Sequence, residues 1–80
     1  MKRYTVVVEK ALNNYSAYVP DLPGCITTGK TVDEAIANMH EAVEAHLETM
    51  REFGIPIPEP ATSSDIPLVD AESRLIEVVG

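Results

Sequence analysis

The chain reads as an α+β fold: a three-stranded antiparallel meander, one long helix packed on the sheet, and a C-terminal strand, in the order βββαβ. Three observations predict it. Residues 15–47 pass from a segment that alternates every second residue, through a turn with two prolines, to one that repeats every 3.6 residues. Thr31 and Glu34 form the T-x-x-E signature of a helix start. Prolines at 56, 58, 60 and 67 then bar helix until strand character returns near Ser73. Eighty residues make a single domain, 1–80, at a size where apolar burial only narrowly exceeds the entropy lost on folding, about 1.5 kcal/mol per ordered residue. Self-association would supplement so small a core.

Residues 4–9, Tyr-Thr-Val-Val-Val-Glu, are β-branched and aromatic, as are residues 15–19, and the two runs read as hairpin partners. Asn13 and Asn14 between them tolerate left-handed backbone and suit a tight reversal. Pro20-Asp21-Leu22-Pro23-Gly24 forces a second turn, after which residues 25–28 form the third strand. Thr31 caps the helix. At 100° per residue Val32, Ala35, Ile36, Met39, Val43, His46, Leu47, Met50 and Phe53 fall on one apolar stripe, and Gly54 and Pro56 end the helix after some 22 residues. Residues 54–72 are an extended, proline-rich connection. In the last strand, residues 73–79, Ile76 and Val78 face one side and Leu75, Glu77 and Val79 the other.

The net charge of −7 is uneven: residues 1–32 hold four bases against two acids, whereas 33–72 hold ten acids against Arg51 alone. Such a surface repels phosphate backbones and attracts basic proteins, so it disfavours direct nucleic-acid binding. Charge of this size also serves plain solubility. The six bases, Lys2, Arg3, Lys10, Lys30, Arg51 and Arg74, form no run. Cys25 is the only cysteine, which excludes an internal disulfide or a C-x-x-C site and reads as a small buried hydrophobe. No segment approaches the about 18 apolar residues of a membrane span, and residues 1–9 lack a signal-peptide core, so a cytoplasmic location without membrane contact is expected.

No catalytic, cofactor or metal residues emerge. Two-metal phosphodiester cleavage needs converging carboxylates, yet only Glu9 and Asp21 lie on or beside the first strands, and Glu34, Glu41, Glu44, Glu48 and Glu52 point away from the apolar stripe. His40 and His46 are about 120° apart around the helix, unlike the i,i+3 or i,i+4 spacing of paired ligands. His46 belongs at the core edge and His40 at the stripe's border. Glu44, Glu48 and Glu52 stand at successive i,i+4 positions, where like charges repel by a few tenths of a kcal/mol each and Arg51 is the only local relief. A basic partner would offset that repulsion. Asp21, Glu44, Glu48 and Glu52 are therefore the expected partner-binding residues, against the alternative of a merely solvated face.

The run Pro20-Asp21-Leu22-Pro23-Gly24-Cys25, followed by Gly29, Thr31, Glu34-Ala35, Asn38 and Glu41-Ala42, resembles the HicB-type antitoxins of bacterial and archaeal toxin–antitoxin pairs, over residues 4 to about 60. The resemblance implies a truncated ribonuclease H-like fold. It also implies that the chain neutralises a small basic ribonuclease toxin, HicA, by covering its RNA-binding surface, and that it self-associates as a dimer or tetramer. Many such antitoxins carry an added helix-turn-helix or ribbon-helix-helix module; residues 61–80 are too few and too acidic to supply one. The alternatives are an inert homo-oligomeric interaction module acting on another protein and, in the enzyme class, a metal-dependent nuclease.

Overall fold

The computed structural model describes residues 2–61 and 71–78. They form β1 (Lys2–Lys10), β2 (Tyr15–Tyr18), β3 (Ile26–Gly29), α1 (Val32–Glu52) and β4 (Ala71–Val78). The four strands make one antiparallel sheet in the order β3-β2-β1-β4, so the first strand is central and the last lies beside it at the edge.

Why β1 takes the centre is written in its residues. Tyr4, Val6 and Val8 face the helix and join the core, while Thr5 and Val7, on the opposite face, are each only 1% exposed. A strand buried on both faces reads as a continuous apolar run rather than an alternation, and Val6-Val7-Val8 is such a run. The core is closed by Ala17, Val19, Leu22, Cys25, Ile76, Val78 and the helical row Ala35, Met39, Val43, Leu47. Cys25 packs its Sγ 3.7 Å from Met39 Sδ, and burial pushes its thiol pKa up from the ordinary 9.0. It fills space as a small hydrophobe.

Both helix ends follow local rules. Thr31 is the N-cap and its Oγ1 accepts from the Glu34 N–H at 3.0 Å. The returning bond of the expected capping box lands one residue earlier, from the Lys30 N–H to Glu34 Oε1 at 3.1 Å. At the other end Gly54 takes φ +67°, its N–H bonds Arg51 O and the Ile55 N–H reaches Met50 O at 2.8 Å, the paired bonds of a Schellman stop. The helix therefore has 21 residues, and Phe53, expected on the apolar stripe, is instead its C-cap and 72% exposed. Chain reversal at Gly54 turns that position away before it can reach the sheet.

Other boundaries shift by one or two residues. Tertiary pairing decides them. Val19 and Cys25 fall outside the strands because they close the proline turn, Val19 N–H bonding Cys25 O at 3.4 Å. Ala71 and Glu72, expected within the connection, belong to β4 because β1 runs on to Lys10 and offers Glu9 and Val8 as partners. In β4, Ile76 and Val78 are buried and Leu75 and Glu77 exposed, as the alternation requires. Val79 lies outside the described residues, as do residues 62–70 of the connection.

Candidate functional site

The turn between β2 and β3 is closed by backbone hydrogen bonds. Leu22 is buried and its N–H bonds Val19 O at 3.0 Å, the Cys25 N–H bonds Leu22 O at 3.1 Å, and Gly24 supplies φ +85°. That leaves Asp21 half-buried at the turn's shoulder, where its Oδ2 accepts the Ala61 N–H at 3.0 Å. Asp21 is one of three ties on the segment after the helix: Tyr4 Oη donates to Pro58 O at 2.6 Å and Lys2 Nζ meets Glu59 Oε1 at 2.5 Å. Ile57 packs against the core beneath them. Burial is the main reason the Tyr4 hydroxyl pKa is raised; Lys2 opposes the shift, and Glu59 and Asp21 add to it. Asp21 thus works within the chain, fastening residues 57–61 across the sheet, a role no sequence signal indicated.

The helix acids divide into two groups. Glu44, expected to suffer repulsion relieved only by Arg51, pairs with His40 Nδ1 at 3.0 Å, and His40 Nε2 lies 2.9 Å from Glu77 O on β4. Both ring nitrogens face acceptors, so the protonated ring makes both bonds and the neutral ring one. The i,i+4 spacing of His40 and Glu44 was the available signal. Glu48 and Glu52 are exposed and, like Glu41 nearby, form no hydrogen bond or ion pair among the described residues. Asp21 is not joined to this face; it sits on the β2–β3 turn.

On the side of α1 away from β4, Asn38 Nδ2 donates to Thr28 O at 2.9 Å and holds the helix against β3. Beyond that tie a hollow of about 300 Å³ opens between the two elements, lined by Gly24, Cys25, Ile26, Ala42, Ala45, His46 and Thr49. Small residues make its floor and the half-buried His46 borders it. Among the described residues no three of His, Cys, Asp and Glu are placed to share a metal ion, and no helix is long and apolar enough to cross a membrane. What the surface offers is carboxylates beside small side chains, an arrangement that suits basic side chains.

Comparison with known proteins agrees with this architecture. The N-terminal domain of the Burkholderia pseudomallei antitoxin HicB is 30% identical, with a TM-score of 0.81 over 96% of this chain and 98% of that domain. A chain of the HicA3 and HicB3 toxin–antitoxin complex is 25% identical, with a TM-score of 0.77 over 98% of this chain and 99% of its own length. A UPF0150 protein of Thermoplasma acidophilum is 42% identical over 57 residues, covering 70% of this chain and 83% of that protein. The family model for HicB_like antitoxins matches residues 4–73. With that match, the sheet order and the helix it carries, the chain belongs to the HicB_like antitoxins of bacterial toxin–antitoxin systems.

Proposed function

We propose that this protein is an antitoxin that binds a small basic ribonuclease of the HicA type and blocks it by occlusion, as a single catalytically inert unit acting in the cytoplasm. The likeness to a chain of the HicA3 and HicB3 complex carries the reading. The exposed carboxylates of Glu48 and Glu52, unpaired among the described residues, support it, since they complement the cationic surface that an RNA-cleaving protein must present. Glu44 contributes through its field while held by His40, and Asp21 contributes by fixing the turn that borders the partner. Nucleic acid is excluded rather than bound.

The test is inhibition. A basic ribonuclease of the HicA type is purified, mixed with equimolar antitoxin and given RNA; cleavage should stop, and co-expression should restore growth. Full cleavage in the presence of excess folded antitoxin would defeat the proposal. Reversal of Glu44, Glu48 and Glu52 to Lys should slow association, most at low salt. Self-association is part of the same reading: among the described residues β4 is a sheet edge and its Leu75 is 56% exposed, so a second copy can pair there. Sedimentation as a monomer well above micromolar concentration would remove that part.

A further inference from the structure

We infer that the hollow between α1 and β3 receives an arginine or lysine side chain of the basic partner, carried on an extended segment that lies along the open edge of β3. The inference rests on the toxin-binding reading and names the surface. Three observations converge on it. Gly24, Ala42 and Ala45 leave the floor shallow, and the hollow, about 300 Å³, is at the small end of ligand pockets, roughly 300–1,000 Å³. That suits one long side chain rather than a whole small molecule. Glu41 and Glu48 flank Ala45 on the helix at i−4 and i+3, and Glu52 follows Thr49 at i+3, so three carboxylates rim the hollow on its outer side, and among the described residues no base lines it. Among the described residues the sheet order leaves β3 without an outer neighbour, and Ile26 at its start lines the opening.

A long basic side chain matches each part. Its methylene stem covers the alanines, and its charged head reaches the rim carboxylates. A strand added at β3 would deliver alternate side chains to that side. Glu44, turned toward β4 and held by His40, stands outside the contact.

The test uses the full chain, labelled for NMR and titrated with a ten-residue peptide alternating arginine and threonine, against the same peptide with neutral citrulline for arginine. Amide shifts should concentrate at Gly24, Ile26, Ala45 and Thr49, with the citrulline peptide silent. Ala45→Trp fills the hollow from an exposed position and should weaken binding about tenfold. Glu41→Gln with Glu48→Gln should weaken it about fivefold, and Glu44→Gln less than about twofold. If Ala45→Trp loses its thermal transition, Thr49→Lys, which places the chain's own cation over the hollow, serves instead. Shifts spread evenly over all acidic segments, undiminished binding to the filled variant, or no binding overturns the inference. An antitoxin that still silences its ribonuclease with the hollow filled would lose this surface while keeping the proposed function.

Discussion

Replacing Gly29 with alanine should be the most damaging single methyl group added to this protein. An ideal Cβ at Gly29 would stand 2.4 Å from Ala35 N, 2.8 Å from Ala35 Cα and 2.9 Å from Glu34 C, all of them backbone atoms. Relief to ordinary contact, beyond 3.4 Å, requires β3 and the first turn of α1 to part by roughly 1 Å, in an interior with almost no slack. A hydrogen bond across the gap resists that movement, Asn38 Nδ2 to Thr28 O at 2.9 Å. Overpacking of this kind costs about 1–3 kcal/mol. For a domain of 60–100 residues each kcal/mol lowers Tm by about 4–8 °C, so the upper half of that range predicts a fall of about 10–20 °C. Thermal unfolding followed by circular dichroism measures it. Gly24→Ala is the companion, because its added Cβ meets nothing within 4 Å and only φ +85° opposes it; it should cost about 1–2 kcal/mol. A Gly29→Ala protein melting within a few degrees of the parent, or above Gly24→Ala, would refute the close-approach argument.

Three further outcomes are expected. Stability should be full below about pH 9 and decline above it, because Cys25, ordinarily 9.0, and Tyr4, ordinarily 10.0, both have raised pKa values when folded, so the unfolded chain loses its protons first. Cys25→Ala should push the onset of that alkaline loss upward in a pH series of melts; an unchanged onset would contradict the assignment. Thr31→Ala removes the bond to the Glu34 N–H and should cost about 1 kcal/mol in denaturant unfolding, with Thr31→Ser close to neutral. Tyr4→Phe removes the 2.6 Å bond to Pro58 O and should cost about 0.5–1.5 kcal/mol while speeding proteolysis within residues 55–61; equal cleavage rates would show that the tie does not hold that segment.

How much of this was legible in the sequence depends on the range of the interaction concerned. Signals written within four or five residues gave the cap at Thr31, the stop at Gly54, the alternation of Ile76 and Val78, and the burial of Cys25. Phe53 was misplaced because an angular count continues a helix past its own terminator. The centrality of β1 is legible in Val6-Val7-Val8, an unbroken apolar run that suits burial on both faces. The ties at Asp21, Tyr4 and His40 link residues 37 to 54 positions apart, and no local pattern encodes them. For the same reason Gly29 stood out in the sequence only as part of a family motif, and its collision with Ala35 emerges only when strand and helix are placed together.

The pairing of β1 with β4 has a bearing on how the chain is made. The partners Lys2 and Val78 are 76 positions apart, and Glu9 and Ala71 are 62 apart. A ribosome releases the middle strand of the sheet first and its second neighbour last, so the nascent hairpin of β1 and β2 waits with a valine-rich flank uncovered until translation has passed residue 71. Contacts that distant slow folding and prolong the interval in which bare strands can aggregate.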